Sequence, residues 1–208
     1  MKFIKQLIAI LALLCATQVF AQTEGDKGYT LLSPPQPTHS GNKIEVLEFF
    51  FYGCSHCFKL HPYMSAWEKK IPKDVELTFV PAIFNSGWES MARTFYALEA
   101  MGQRKQLHDA LFNAWNNGLI LADEASVTDF VSKHGVDAKK FHDTYNSFAV
   151  QSQVMRAKQM AQIYGIRGTP TLVVDGKYFI SGIGPEEIMK VLDKVLDKAR
   201  KERAAGKH

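Results

Sequence analysis

The chain has 208 residues, of which 12% are aromatic, so it is long enough to bury a sizeable core in one domain or in one domain that carries an insertion. With 25 basic residues, 21 acidic residues and a formal net charge of +4, its charge balance gives no reason to expect a nucleic-acid partner. A chain of this size does not need disulfide bonds in order to fold, and it has only three cysteines.

The first 21 residues have the pattern of a secretory signal peptide. Lys2 and Lys5 precede an apolar run from Leu7 to Leu14, and Val19-Phe20-Ala21 ends in a small residue before Gln22. The apolar run is shorter than the roughly 20 residues that a transmembrane helix needs. We therefore expect an exported protein that is cleaved after Ala21.

An extended arm is expected over residues 22–43, where Ser33-Pro34-Pro35-Gln36-Pro37 disfavours regular structure. Ile44 to Phe51 then reads as a strand that is apolar on both faces, which is typical of an interior strand in a covered sheet. A helix is expected to follow directly, with a kink at Pro62 and an end at Pro72.

A second strand is predicted from Val75 to Pro81, which completes a strand, helix, strand unit. Helical periodicity then extends from about Trp88 to Tyr164. Two strands are predicted at 171–174 and 177–180, on either side of Asp175-Gly176, which is a strong two-residue hairpin signal. A last helix is expected to begin near Pro185.

This order predicts an α/β fold in which βαβ and ββα parts are interrupted by an inserted α-helical domain. The predicted parts are the signal peptide (1–21), the N-terminal arm (22–43), the first part of the sheet domain (44–86), the inserted helical domain (87–164) and the second part with the C-terminal helix (165–208).

Two cysteines remain if Cys15 is removed with the signal peptide, and they form Cys54-Ser55-His56-Cys57 between the first strand and the first helix. A zinc site needs about four ligands, and this motif supplies at best half of one. Haem attachment needs a histidine directly after the second cysteine, where Phe58 stands. A structural staple is disfavoured, because closing so short a loop gains little entropy. A thiol-disulfide exchange centre remains, because backbone N–H groups and the helix dipole stabilise a thiolate at a helix start.

From Ile44 to Pro62, and again at Arg167-Gly168-Thr169-Pro170, the chain resembles the thioredoxin superfamily, and in particular the DsbA-like exported thiol oxidoreductases. The shared features are the strand before the cysteines, a histidine directly before the second cysteine, and Gly-x-Pro before a hairpin. The inserted helices extend the resemblance over nearly all of the predicted mature chain. The fold that it implies is a thioredoxin fold.

The resemblance also implies the roles of single residues. Cys54 would be the exposed nucleophile and Cys57 the resolving cysteine, with His56 tuning the thiolate. Pro170 would be a cis-proline beside them, and Thr169 and Ser55 would contact substrate. Glu48 would be a buried acid that moves protons, although the residues alone leave open that it faces solvent. His61, one helical turn after Cys57, is expected on the surface.

The resulting hypothesis is a periplasmic dithiol oxidase that introduces disulfide bonds into reduced, unfolded exported proteins. The resemblance further implies reoxidation by a DsbB-like membrane quinone reductase and a monomeric state. No cofactor and no metal are expected. Two alternatives stay open: a disulfide isomerase or reductase of the same superfamily, and a peptide-binding, chaperone-like module whose cysteines are incidental.

Overall fold

A computed structural model of the protein describes residues 28–206. The predicted signal peptide, its cleavage site and Cys15 lie outside these residues. The described part contains a five-stranded sheet with the order β1-β5-β4-β2-β3. The strands are β1 (Thr30–Leu31), β2 (Ile44–Phe50), β3 (Val75–Pro81), β4 (Thr171–Val174) and β5 (Tyr178–Ser181).

Helices make up most of the rest: α1 (Ser55–Glu68), α2 (Ser86–Ala100), α3 (Arg104–Asn116), α4 (Glu124–Lys133), α5 (Ala138–Tyr145), α6 (Phe148–Ile163) and α7 (Pro185–Ala204). The side chains of the N-cap residues Asn85, Asp123, Asp137 and Ser147 accept backbone N–H groups of the first turns of α2, α4, α5 and α6. Within residues 28–206, no helix is both long enough and apolar enough to cross a membrane.

The sheet is covered on both faces. Val46 on β2 packs in one apolar cluster with Leu60 and Met64 of α1 and with the buried side of α7. Leu47 and Phe49 point to the other face, where they pack in a separate cluster with the C-terminal half of α6. All seven residues of β2 are buried, as the apolar pattern on both faces predicts.

The sheet joins the βαβ and ββα parts, because β2 pairs parallel with β3 and antiparallel with β4. The helices α2 to α6 lie between β3 and β4 along the chain, where helical periodicity predicts them. The α/β thioredoxin fold with inserted helices is thereby confirmed, and the exact division into domains at residues 43, 86 and 164 stays a prediction.

The first helix differs from the prediction at its end. It stops at Glu68, four residues before Pro72, and it is described as one continuous helix through Pro62. Its buried residues include Cys57, Leu60, Met64 and Trp67, which repeat every three or four positions and face the sheet.

The N-terminal arm contains an edge strand that the sequence pattern does not reveal. Thr30 and Leu31 pair antiparallel with Phe179 and Tyr178, and further along the arm Gln36 donates its backbone N–H to the Gly176 carbonyl at 2.8 Å. The arm fits so closely there that a Cβ atom at Gly176 would lie 2.0 Å from the carbonyl oxygen of Gln36. Glycine is therefore required in the hairpin turn for packing as well as for its positive φ.

Candidate active site

The turn between β2 and α1 holds the two cysteines. Cys54 is the N-cap residue of α1, with extended backbone angles, and Cys57 lies in the first helical turn. Gly53 allows the chain to pass closely over aromatic rings, because a Cβ atom there would lie 2.5 Å from the ring of Phe51 and 3.0 Å from that of Trp115. The packed turn thus fixes Cys54 at the positive end of the helix.

The surroundings of Cys54 favour its thiolate. The pKa of Cys54 is lowered to about 5, chiefly by the hydrogen bond from the Cys57 thiol, with further contributions from Thr169 and from the backbone N–H groups of Cys57 and His56. Partial burial opposes this shift without cancelling it. In its neutral form, Cys54 Sγ donates to the backbone carbonyl of Thr169 at 3.2 Å. The sulfur is therefore an anion near neutral pH.

Cys57 has the opposite character. Its side chain is fully buried, and burial, followed by the hydrogen bond and the negative charge of Cys54, raises its pKa far above the ordinary range. Both cysteines are free thiols in this structure. The pair therefore combines one accessible, anionic sulfur with one inaccessible, protonated sulfur.

The two residues between the cysteines are exposed to solvent. The sequence interpretation gives the His56 side chain a tuning role, and the structure shows its backbone N–H as a group that acts on Cys54. The Ser55 side chain is likewise open to an incoming molecule.

The loop before β4 lies against Cys54. The Thr169-Pro170 peptide bond is cis, the geometry that the resemblance implies for Pro170. Both residues are partly buried, and the Thr169 carbonyl reaches the Cys54 sulfur across 115 positions of the chain. The structure therefore brings together Cys54, Cys57 and the Thr169-Pro170 segment.

Glu48 lies in the core beneath the site and does not face solvent, since only 2% of its surface is exposed. Glu48 is two residues from both Val46 and Phe50 in β2, so its side chain points to the same sheet face as theirs, the face that α1 covers. Its Oε2 atom has no hydrogen-bond partner among residues 28–206. Desolvation, with a smaller effect of the negative Glu68, raises the pKa of Glu48 to about 8, so the acid carries its proton at neutral pH.

Arg104, a cation of the same region, is paired with acids other than Glu48. Arg104 binds Glu68 at 2.7 Å and Glu99 at 2.8 Å, and its guanidinium carbon lies 4.8 Å from the centre of the Phe79 ring. These contacts share one positive charge between Glu68 and Glu99, and the Glu48 carboxyl group forms no ion pair within the described chain.

The expectation that His61 lies on the surface is wrong. Its ring is buried between α1 and α3, stacks on Phe112 with 4.5 Å between ring centres, and bonds Asp109 at 2.6 Å through Nε2. Beside it, His108 bonds the Tyr52 hydroxyl at 2.7 Å. The residues that bury His61 come from the inserted helices, far away in sequence, so its position one turn after Cys57 could not reveal them.

Sequence reasoning also missed the aromatic support of the site. Phe51 stacks on Trp88 with ring centres 3.8 Å apart, and it packs edge-on against Trp115 with ring centres 5.5 Å apart. The high aromatic content was the available signal for such ring contacts, but which rings pair depends on the positions of α2 and α3.

Within the described residues, no group of three or more His, Cys, Asp or Glu side chains is placed to hold a metal ion.

Comparison with known proteins assigns the family. A family model described as "DSBA-like thioredoxin domain" matches residues 63–192, which contain the inserted helices and the Thr169-Pro170 segment. The cysteine pair precedes this match, but it lies within the alignment to the thiol:disulfide interchange protein DsbA of Pseudomonas aeruginosa, which is 40% identical and covers 97% of each chain. The protein of the same name from Pseudomonas syringae pv. tomato is 37% identical over 92% of this chain and 90% of its own.

Solved structures agree with this assignment. The crystal structure of Pseudomonas aeruginosa DsbA matches with a TM-score of 0.80 and 41% identity, over 88% of this chain and 96% of that chain. The oxidoreductase NmDsbA1 from Neisseria meningitidis matches with a TM-score of 0.77 and 29% identity, over 85% and 93%. The chain therefore belongs to the family of DSBA-like thioredoxin domains, and it is a disulfide-forming thiol:disulfide oxidoreductase.

Proposed function

We propose that this oxidoreductase works in the periplasm, where it oxidises reduced, unfolded exported proteins through Cys54 and Cys57. The observation that carries the proposal is the asymmetry of the pair. Cys54 is partly exposed and has a pKa of about 5, whereas Cys57 is fully buried. Stabilising the Cys54 thiolate favours the reduced enzyme, which makes the disulfide form a stronger oxidant of other thiols.

The reaction begins when a client thiolate attacks Cys54 Sγ in the oxidised enzyme, because Cys57 is inaccessible. The bond between Cys54 and Cys57 breaks, a client–Cys54 disulfide forms, and the electron pair leaves on Cys57. The second client thiolate then attacks the client sulfur of the mixed disulfide and displaces Cys54. Two client thiols become one disulfide, Cys57 gains one proton, and the other proton goes to solvent because Cys54 leaves as a thiolate.

Glu48 is proposed to supply the proton that Cys57 needs. A thiolate on Cys57 would be buried without solvent, and the raised Cys57 pKa means that it is protonated as soon as a donor is present. Glu48 lies under the same helix, is protonated at pH 7, and has no competing ion pair in the described residues. After donating, it recovers a proton from water.

The remaining site residues are proposed to hold the client. Thr169 presents its backbone carbonyl next to Cys54, and Pro170 follows it in the same loop, where both would contact the client. Ser55 and His56 are exposed beside the reacting sulfur and would contact the client segment that carries the attacking cysteine. These contacts would orient the client thiolate toward Cys54.

Localisation and the oxidising partner rest on the family. The relatives are bacterial proteins named for thiol:disulfide interchange, and the sequence predicts a cleaved signal peptide. We propose that a DsbB-like membrane quinone reductase restores the Cys54–Cys57 disulfide, and that the enzyme acts as a monomer.

The test uses a reduced, unfolded protein that needs several disulfides. Stoichiometric oxidised enzyme is expected to remove two client thiols per Cys54–Cys57 disulfide, and catalytic amounts are expected to turn over only when membranes with a DsbB-like quinone reductase and quinone are added. Membranes that lack the reductase serve as the control. Client thiols that stay unchanged would support the chaperone-like alternative, and enzyme that repairs scrambled disulfides faster than it forms new ones would support an isomerase.

A further inference from the structure

A groove opens on the side of the Thr169-Pro170 loop that faces the β3–α2 connection. Its apolar floor is formed by Ile83, Phe84, Ala161 and Ile166, and its rim carries the cations Lys158 and Arg167. Phe84 is 43% exposed, so part of this apolar surface is available for contact.

Cations outnumber acids around this groove. Lys158 binds Glu89 at 2.7 Å, but Arg93 binds the same carboxylate at 3.0 Å, so one acid is shared by two cations. Arg167 is exposed and makes no ion pair with any residue between 28 and 206. The groove therefore has an excess of positive charge, and Arg167 can form a bidentate contact with an incoming carboxylate.

The groove is connected to the reaction centre through the segment from Arg167 to Thr169. Arg167 precedes Thr169 by two residues, so their Cα atoms lie at most about 7 Å apart, and the Thr169 carbonyl lies 3.2 Å from Cys54 Sγ. The backbone N–H groups of Arg167, Gly168 and Thr169 donate to no carbonyl of the described chain. Nothing lies within 4 Å of where a Cβ atom on Gly168 would be, so an extended peptide can approach this edge.

We propose that the groove binds an acidic side chain of the client, located two to three residues to one side of the client cysteine that reacts with Cys54. A client paired along Arg167–Thr169 would carry its carboxylate to Arg167 and rest a neighbouring apolar side chain on Phe84 and Ile83. This inference rests on the proposed function and adds to it a preference for one class of client sequence.

The test uses short dithiol peptides that reduce the Cys54–Cys57 disulfide of the full protein. One Asp is moved through the four positions on each side of the first cysteine, and each peptide is paired with its Asn counterpart. Stopped-flow fluorescence gives the second-order rate constants. Asp is expected to accelerate the reaction about three- to fivefold at one or two positions on a single side, and 1 M NaCl is expected to remove most of this advantage.

Two variants locate the effect. Arg167→Glu is expected to invert the Asp/Asn ratio at those positions, and Arg167→Lys to keep it above one. Arg156→Glu is the matched control: it makes the same change of charge at an exposed site on α6, near Tyr96 and outside the groove, and it is expected to keep the wild-type ratio.

Equal rates for Asp and Asn at every position would overturn the groove assignment while leaving the oxidase function intact. A ratio that falls as much in Arg156→Glu as in Arg167→Glu would also overturn it, because the effect would then come from overall charge. If no peptide reduces the wild-type disulfide, the proposed function itself fails.

Discussion

Cys54→Ser is expected to abolish client oxidation completely, whereas Cys57→Ser is expected to hold a client as a trapped mixed disulfide. Cys54 is the accessible sulfur, and with a pKa of about 5 it is about 99% thiolate at pH 7. A serine hydroxyl cannot enter disulfide exchange. Without Cys57, no internal thiol can attack the mixed disulfide on Cys54 and release the client.

The trap is measured with a client that has a single cysteine. The wild-type protein with its Cys54–Cys57 disulfide, and the Cys57→Ser protein with a thionitrobenzoate group on Cys54, are each mixed with this client and separated on non-reducing gels. The wild-type protein is expected to release the client as Cys57 closes the disulfide, and Cys57→Ser to retain it until a reductant is added. Equal retention of the client by the wild type and Cys57→Ser would contradict the resolving role of Cys57. Thermal melts of Cys54→Ser and Cys57→Ser control for folding.

Glu48→Gln is expected to remove a large pH dependence from the stability of the reduced protein. The pKa of Glu48 rises from 4.5 in the unfolded chain to about 8 in the folded protein. The folded state therefore holds the proton more tightly, and this contribution to stability is fully present below pH 4.5 and is lost as the pH rises through 8. The loss amounts to about 3 kcal/mol at pH 7 and about 5 kcal/mol at pH 9.

Urea unfolding at pH 4, 7 and 9 measures this difference. The free energy of unfolding of Glu48→Gln minus that of the wild type is expected to increase across the series. Glu76→Gln is the control, since the Glu76 side chain is 46% exposed on the neighbouring strand β3. The free energy of unfolding of this variant is expected to change with pH as that of the wild type does. If the free energies of unfolding of Glu48→Gln and the wild type changed with pH in parallel, the buried carboxyl would not hold its proton.

Much of the fold follows from local patterns in the sequence. The unbroken apolar run of β2 predicts an interior strand, and Asp175-Gly176 predicts the hairpin between β4 and β5, where both residues have positive φ. The hairpin connection also includes Lys177, because β5 begins at Tyr178 and not at Lys177. These features depend on neighbouring residues, so a single sequence is sufficient to place them.

Features that depend on distant partners were not predictable. The pairing of Thr30-Leu31 with β5 and the burial of His61 against α3 need the complete arrangement of the chain. At the site, the motif and the resemblance indicated Cys54, Cys57 and the cis bond before Pro170. The hydrogen bond between the two sulfurs and the isolation of Glu48 from Arg104 come only from the packing.

The reduction potential of the Cys54–Cys57 pair tests the oxidase assignment most directly. Relative to a cysteine with a pKa of about 7, as in thioredoxin, the lowered Cys54 pKa stabilises the reduced form at pH 7 by about 2.3 kcal/mol, or about 50 mV. Equilibration with glutathione is therefore expected to give a value above about −220 mV, toward the roughly −120 mV of the oxidase DsbA. A value at or below the roughly −270 mV of thioredoxin would contradict the account and indicate a reductase.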